Sequence, residues 1–208
     1  MALFITFEGG EGSGKSVQAR ALYRRLKHLA IPALITREPG GTLLGQKLRR
    51  WLKWTQDSGV SPLTELLLFN AARSQLVNEV LKPGLDEGKT VICDRYADST
   101  TAYQSYGRGL NREMVIAINN AATGSLTPDL TILLDMSPEA GLARKGGQHP
   151  DRFERETVAF HHRVREGYLR LAEAEPQRWL VIDATKSKEE IATIIWQRVG
   201  QLLSRSGD

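Results

Sequence analysis

The sequence predicts an α/β domain: a five-stranded parallel sheet with helices on both faces and a short lid. Three observations carry this. Short apolar runs alternate with helix-patterned segments from one end of the chain to the other. The runs are mostly continuous rather than alternating in polarity, as parallel strands covered on both faces require. The first of them leads into a glycine-rich turn and then straight into a helical pattern.

Taken in order, residues 3–7 form the first run, and Glu8 closes it with no basic region ahead, which reads as a strand and not as a leader peptide. Leu22, Leu26 and Leu29 then recur at helical spacing. Residues 33–36 make the second strand, followed by the helical set Leu44, Leu48 and Trp51. Ser61-Pro62 reads as an N-cap with proline at the first helical position, opening a helix to about residue 81. Residues 90–93 form the third strand, where Cys93, following the apolar Val91 and Ile92, reads as core. Residues 99–104 follow as helix, 130–134 and 179–182 as the last two strands, and Ile191, Ile195, Val199 and Leu202 stripe a final helix. The whole chain, 1–208, reads as one domain without linker or repeat. Segment 144–152 breaks the rhythm: polar, basic and glycine-bearing, it is the natural lid.

Composition narrows the classes. No apolar run approaches the ~20 residues that span a bilayer, so no membrane association is expected. One cysteine excludes an internal disulfide framework and suits a reducing cytoplasm. Four histidines and one cysteine offer no zinc constellation. The net charge of +4 is scattered, which argues against nucleic acid as a partner and suits an enzyme of polyanionic substrates.

Gly9-Gly10-Glu11-Gly12-Ser13-Gly14-Lys15-Ser16 matches G-x-x-x-x-G-K-[ST], with a strand before it and a helix after it. Its glycines let backbone N–H groups wrap a phosphate, at the positive end of a helix. Lys15 is expected at the β- and γ-phosphates of ATP, and the Ser16 hydroxyl on Mg²⁺. A GTPase would need an N/TKxD base-reading loop, which is absent. A motor ATPase usually needs more chain and a partner face for an arginine in trans, so a small kinase of the P-loop NTPase fold, with its acceptor site built in, remains.

On the acceptor side, Asp94 ends a strand and is expected to hold Mg²⁺ through water, with Asp135 as its rival. Arg95 is placed to bridge donor and acceptor phosphates. Ser99 and Tyr103 share one helical face, and Thr100 and Gln104 another, a polar wall fit for a sugar and a base. Phe69 and Arg73 pair at the same spacing, and by itself Phe69 leans towards core.

Seven ordered segments together resemble the thymidylate kinase family, whose members phosphorylate dTMP with ATP. They are Phe7 to Lys15, Thr36-Arg37-Glu38-Pro39-Gly40-Gly41-Thr42, Phe69-Asn70-Ala71-Ala72-Arg73, Asp94-Arg95-Tyr96 through Ser99 with Ala102-Tyr103-Gln104, Pro128-Asp129-Leu130-Thr131, Asp151-Arg152-Phe153-Glu154, and Ile182-Asp183-Ala184-Thr185. The resemblance implies that Phe69 stacks on thymine, reversing the core reading, and that Arg73 donates to a thymine carbonyl. It implies Thr100 and Gln104 at the base, Ser99 among the dTMP contacts, and Tyr103 crowding the 2′ side of the sugar. Arg49 and Arg95 would hold the dTMP phosphate, with Glu11 or Glu38 near its sugar or the metal. Arg144 and the 183–186 loop, including Asp183 and Thr185, would flank adenine. The resemblance also implies a homodimer formed by helix faces, which would suit Trp51 and Trp54.

Within that family a catalytic arginine sits either in the P-loop or in the lid. Here the P-loop position is Gly12, so the lid must supply the cation from Arg144, Lys145 or Arg152, with Arg152 preferred. Val17 stands where a second hydroxyl is usual, a loss of about 0.5–1.5 kcal/mol of phosphate binding. Another nucleoside monophosphate kinase on the same scaffold is the alternative.

Overall fold

The computed structural model describes residues 2–54, 59–146 and 150–205. Its sheet has strands β1 (Phe4–Glu8), β2 (Ala33–Arg37), β3 (Thr90–Asp94), β4 (Leu130–Asp135) and β5 (Trp179–Asp183), all parallel, in the order β2-β3-β1-β4-β5. β1, β3 and β4 are central and almost wholly buried, while β2 and β5 are the half-exposed edges. Every strand ends one residue later than the apolar runs indicate, each time on a charged residue: Glu8, Arg37, Asp94, Asp135 and Asp183. Register brings Phe7 and Arg37 beside Asp94, and Asp135 beside Asp183, so these ends share one edge. The chain reverses its winding direction at β1, which puts a crevice at that edge.

The helices are α1 (Lys15–His28), α2 (Leu43–Trp54), α3 (Pro62–Leu76), α4 (Lys82–Asp86), α5 (Ala97–Thr100), α6 (Arg112–Thr123), α7 (Pro138–Lys145), α8 (Val158–Ala174) and α9 (Lys188–Arg205). A π turn, Val77–Leu81, joins α3 to α4, and a second, Thr101–Gly107, continues α5. Strand alternation sorts the core into two layers. Ile5, Phe7, Ile92, Ile132 and Leu134 pack on Ala19, Leu22 and Leu26 of α1 and on Ile191, Ile195 and Val199 of α9. On the other face, Phe4, Val91 and Cys93 pack on Leu76, Leu81 and Tyr96. Leu133 lies with Tyr103, Phe160, Val164 and Tyr168. Ser61 caps α3 by accepting from the Thr64 N–H, with Pro62 at its first position.

Three expectations shift. Leu29 lies beyond the end of α1 and is exposed, because Ala30 turns left-handed there and leaves the helix. On α2 the buried residues are Gly45 and Leu52, and Leu44 and Trp51 face outward. The first two cations of the expected lid belong to the last turn of α7, closed by Gly146 at φ 67°. The Gly147, Gln148 and His149 part of that lid falls outside the described residues.

Candidate active site

The glycine-rich loop leaves β1 and becomes α1 at Gly14, which takes φ 93°. The Lys15 ammonium donates to the Gly10 carbonyl (2.6 Å) and the Ser13 hydroxyl (3.2 Å). Burial and the neighbouring Arg95 lower its pKa to about 8, against Glu11 and Asp94. At Gly12 the loop touches α7: a Cβ there would fall 1.9 Å from the Gly141 carbonyl oxygen, at φ +69°. That contact is a steric reason why this position holds no arginine.

The Ser16 hydroxyl donates to Asp94, so the two oxygens expected to hold Mg²⁺ converge. Asp135 is instead clamped by Arg165 through two 2.8 Å hydrogen bonds. Hard oxygen donors of this kind suit Mg²⁺, which keeps several waters and takes substrate phosphates as its other ligands.

Arg95 sits at φ 75°, a left-handed conformation that a non-glycine residue adopts at a cost. Its Nη1 donates to the Gly9 carbonyl (3.2 Å), the Ser99 hydroxyl (3.1 Å) and the Tyr168 hydroxyl (3.1 Å). Its Nη2 donates to Glu11 (2.8 Å) and the Tyr103 hydroxyl (3.2 Å). Burial opposes the charge of Glu11, but Arg95, Lys15 and Lys145 hold it well below the usual carboxylate range.

A cavity of about 340 Å³ gathers Glu11, Gly12, Gly14, Lys15, Ser16, Glu38, Arg49, Phe69, Arg73, Asp94, Arg95, Ser99, Thr100, Tyr103, Gln104, Arg144 and Lys145. The π turn after α5 brings both expected pairs, Ser99 with Tyr103 and Thr100 with Gln104, to this one wall. Phe69 is half-buried, one side against Phe153 (ring centroids 5.7 Å apart) and the other lining the cavity. Arg73 is 1% exposed. Its five N–H groups donate to Glu38, Asn70, Asn119, the Tyr96 carbonyl and Thr100. Each N–H of Arg73 thus has a protein acceptor, and the residue still lines the cavity. Thr100 accepts from Arg73 at 2.6 Å and also lines the cavity. Among the described residues Glu38 Oε1 is buried without a partner, and burial raises the Glu38 pKa against the pull of Arg73.

The lid cations divide. Lys145 reaches Glu154 and comes within 3.7 Å of Glu11. Arg144 donates to the Ala184 carbonyl at 2.9 Å, which joins it to the loop where Thr185 bonds Asp183. Arg152 does not line the cavity: it pairs with the buried Glu65, donates to the Leu52 carbonyl and lies over Phe153. Gly9, Gly10 and Ser13 are not among the residues that line the cavity. Val17 is 39% exposed at the cavity wall.

Sequence reasoning gave no site role to Arg37, Pro39, Lys53, Tyr96 and Phe153, all of which line the cavity, although all but Lys53 lie in the segments that carry the resemblance. Lys53 was legible, four residues after Arg49 on one helix. So was Glu8, an acid inside a buried strand. Tyr168 carried no signal.

The sequence pattern of the family described as thymidylate kinase matches residues 7–195. A thymidylate kinase of Dehalococcoides mccartyi is 57% identical over 203 residues, covering 98% of each chain. One of Deinococcus radiodurans is 50% identical, covering 96% of this chain and 97% of its own. The crystal structure of thymidylate kinase from Ehrlichia chaffeensis superposes with a TM-score of 0.78 at 32% identity, over 95% of this chain and 98% of that one.

Proposed function

The chain belongs to the thymidylate kinase family, and on that premise we propose that it transfers the γ-phosphoryl group of ATP to dTMP, giving dTDP and ADP. The observation that carries the reading is a single cavity with the phosphate loop at one end, an aromatic and polar wall at the other, and Arg95 between them.

An oxygen of the dTMP phosphate attacks the γ-phosphorus, and the bond to the β,γ-bridging oxygen breaks with its electrons leaving on ADP. The attacking oxygen is already anionic, so catalysis is positioning plus cationic stabilisation. Lys15 meets the β- and γ-oxygens, and Arg95, fixed by Glu11, spans both substrates. Ser16 and Asp94 would hold Mg²⁺, which supplies neutralisation of the phosphate charge. Lys145 is the lid cation favoured by its approach to Glu11. Phe69 stacks on the base, the Thr100 hydroxyl donates to a base carbonyl with Arg73 behind it, and Gln104 borders the ring. Tyr103 crowds the 2′ side of the sugar, and Arg49 with Lys53 draws in the acceptor phosphate. Arg144 and the 183–185 loop form the adenine edge.

The outward apolar residues of α2 and α3, Leu44, Trp54, Leu63 and Leu67, support a homodimer through these helices. No helix among the described residues is long and apolar enough to cross a membrane, and a lone buried thiol suits the cytoplasm. ADP release measured with dTMP, dUMP, dCMP and thymidine as acceptors tests the assignment. Preference for any acceptor over dTMP rejects it.

A further inference from the structure

Glu8 ends β1 beneath the cavity, fully buried, and takes no part in the chemistry described above. Its Oε1 accepts the Tyr96 N–H at 2.8 Å. Its Oε2 accepts the hydroxyls of Ser99 (2.5 Å) and Tyr168 (3.1 Å). Those two hydroxyl oxygens are also acceptors for Nη1 of Arg95. Glu8 therefore touches Arg95 only through other groups: the amide of the next residue, and two hydroxyls shared between carboxylate and guanidinium.

A hydroxyl carries one hydrogen and two lone pairs, whereas a carboxylate only accepts and a guanidinium only donates. The two hydroxyls also lie 2.8 Å apart, so one can give its hydrogen to the other, and burial with the nearby Asp98 raises the Glu8 pKa to about 7. In its ionised form Glu8 accepts from Ser99 and Tyr168, which turns their lone pairs towards Arg95. The same carboxylate pins the peptide that follows Arg95, the residue held at φ 75°. Backbone in that region persists only where its surroundings over-determine it.

We infer that Glu8 is the positioning residue of Arg95: it sets the polarity of the Ser99 and Tyr168 hydroxyls and anchors the Tyr96 amide, so that the guanidinium is held towards the transferring phosphate. The inference rests on the kinase reading, in which Arg95 spans the two substrates.

Glu8→Gln is the discriminating change, equal in size but with a donor in place of one acceptor. Its carbonyl must take the Tyr96 N–H, so its NH₂ faces the two hydroxyls, which lose their shared acceptor and must turn their hydrogens to each other or towards Arg95. The test is a double-mutant cycle on kcat with Arg95→Ala, on whichever nucleoside monophosphate the wild-type chain accepts. Glu8→Gln is expected to lower kcat about tenfold in the wild-type background and less than about twofold when Arg95 is already alanine. The same loss in both backgrounds, or wild-type kcat in Glu8→Gln alone, overturns the inference, because a structural role does not depend on Arg95. Should Glu8→Gln not fold, Tyr168→Phe replaces it in the cycle: non-additivity with Arg95→Ala supports the relay, and additivity overturns it. Failure of the dTMP assignment shows separately, as a wild-type chain that prefers another acceptor.

Discussion

Gly12 and Gly141 meet backbone to backbone: a Cβ on Gly12 would fall 1.9 Å from the Gly141 oxygen, and one on Gly141 would fall 2.2 Å from the Glu11 oxygen. The phosphate loop thus rests directly on the helix that carries Arg144 and Lys145. Gly12→Ala adds a clash with rigid backbone, about 1–3 kcal/mol, to the strain of a left-handed β-carbon, about 1–2 kcal/mol. The expected outcome is a lower unfolding midpoint and an ATP KM raised roughly tenfold or more. Unchanged values in thermal unfolding and ATP saturation curves would show that the loop moves away from α7 freely.

Lys145 and Arg152 are separable by what they touch. Lys145→Ala is expected to lower kcat about 10²-fold, the scale of a lost transition-state donor. Arg152→Ala removes one cation from Glu65, which is 1% exposed and keeps Arg108 and Gln104. Its expected effect is on stability, roughly 1–3 kcal/mol in denaturant unfolding, with kcat largely kept. The reverse pattern would assign Arg152 to the reaction and require the lid to leave Glu65.

Phe69→Ala should raise the KM for dTMP by the equivalent of about 1–3 kcal/mol, the range for base stacking, and leave that for ATP unmoved. Equal effects on both substrates would make Phe69 a core residue, since its other face packs on Phe153.

Lys15 gives a pH dependence with a definite sign. Burial and Arg95 lower its pKa to about 8, so it loses its charge above that value in the free protein. A bound triphosphate favours the charged form, so binding above about pH 8 takes up a proton and ATP affinity falls as pH rises, by up to tenfold per unit. Calorimetric titrations in two buffers of different ionisation enthalpy read the uptake directly, and none at about pH 8.5 would mean that Lys15 is charged before ATP arrives.

Leu67 is half-exposed on α3, which packs against α2. Leu67→Glu puts a charge among the outward apolar residues of these helices, and if they form a dimer face, light scattering should report a shift from dimer towards monomer. A wild-type chain already monomeric at micromolar concentration would remove the patch as a dimer face.

Element type and order were legible because hydrophobic periodicity reports burial on both faces of a strand, and all five runs became strands. Their ends were not legible. Hydropathy stops at the last apolar residue, yet each strand runs on to one charged residue at the edge where the site lies. The phosphate loop was readable because its chemistry is local, one motif between one strand and one helix. Arg152 was legible only as a motif residue: its partner Glu65 lies 87 positions away, a separation that no spacing reveals. The outward stripe of α2 has the periodicity of a packed helix, and periodicity does not say which molecule covers it.

What the sequence determined by itself was the α/β alternation, the phosphate cradle of residues 9–16 and the set of side chains able to read a nucleotide. These depend on neighbours a few residues apart, where propensity and motif geometry act. The tertiary structure alone decided that all donors of Arg73 are occupied, that Gly12 has no room for a side chain, and that Glu8, Ser99 and Tyr168 stand behind Arg95. Each of these depends on which distant groups compete for the same hydrogen bonds and the same space, and only packing settles that competition.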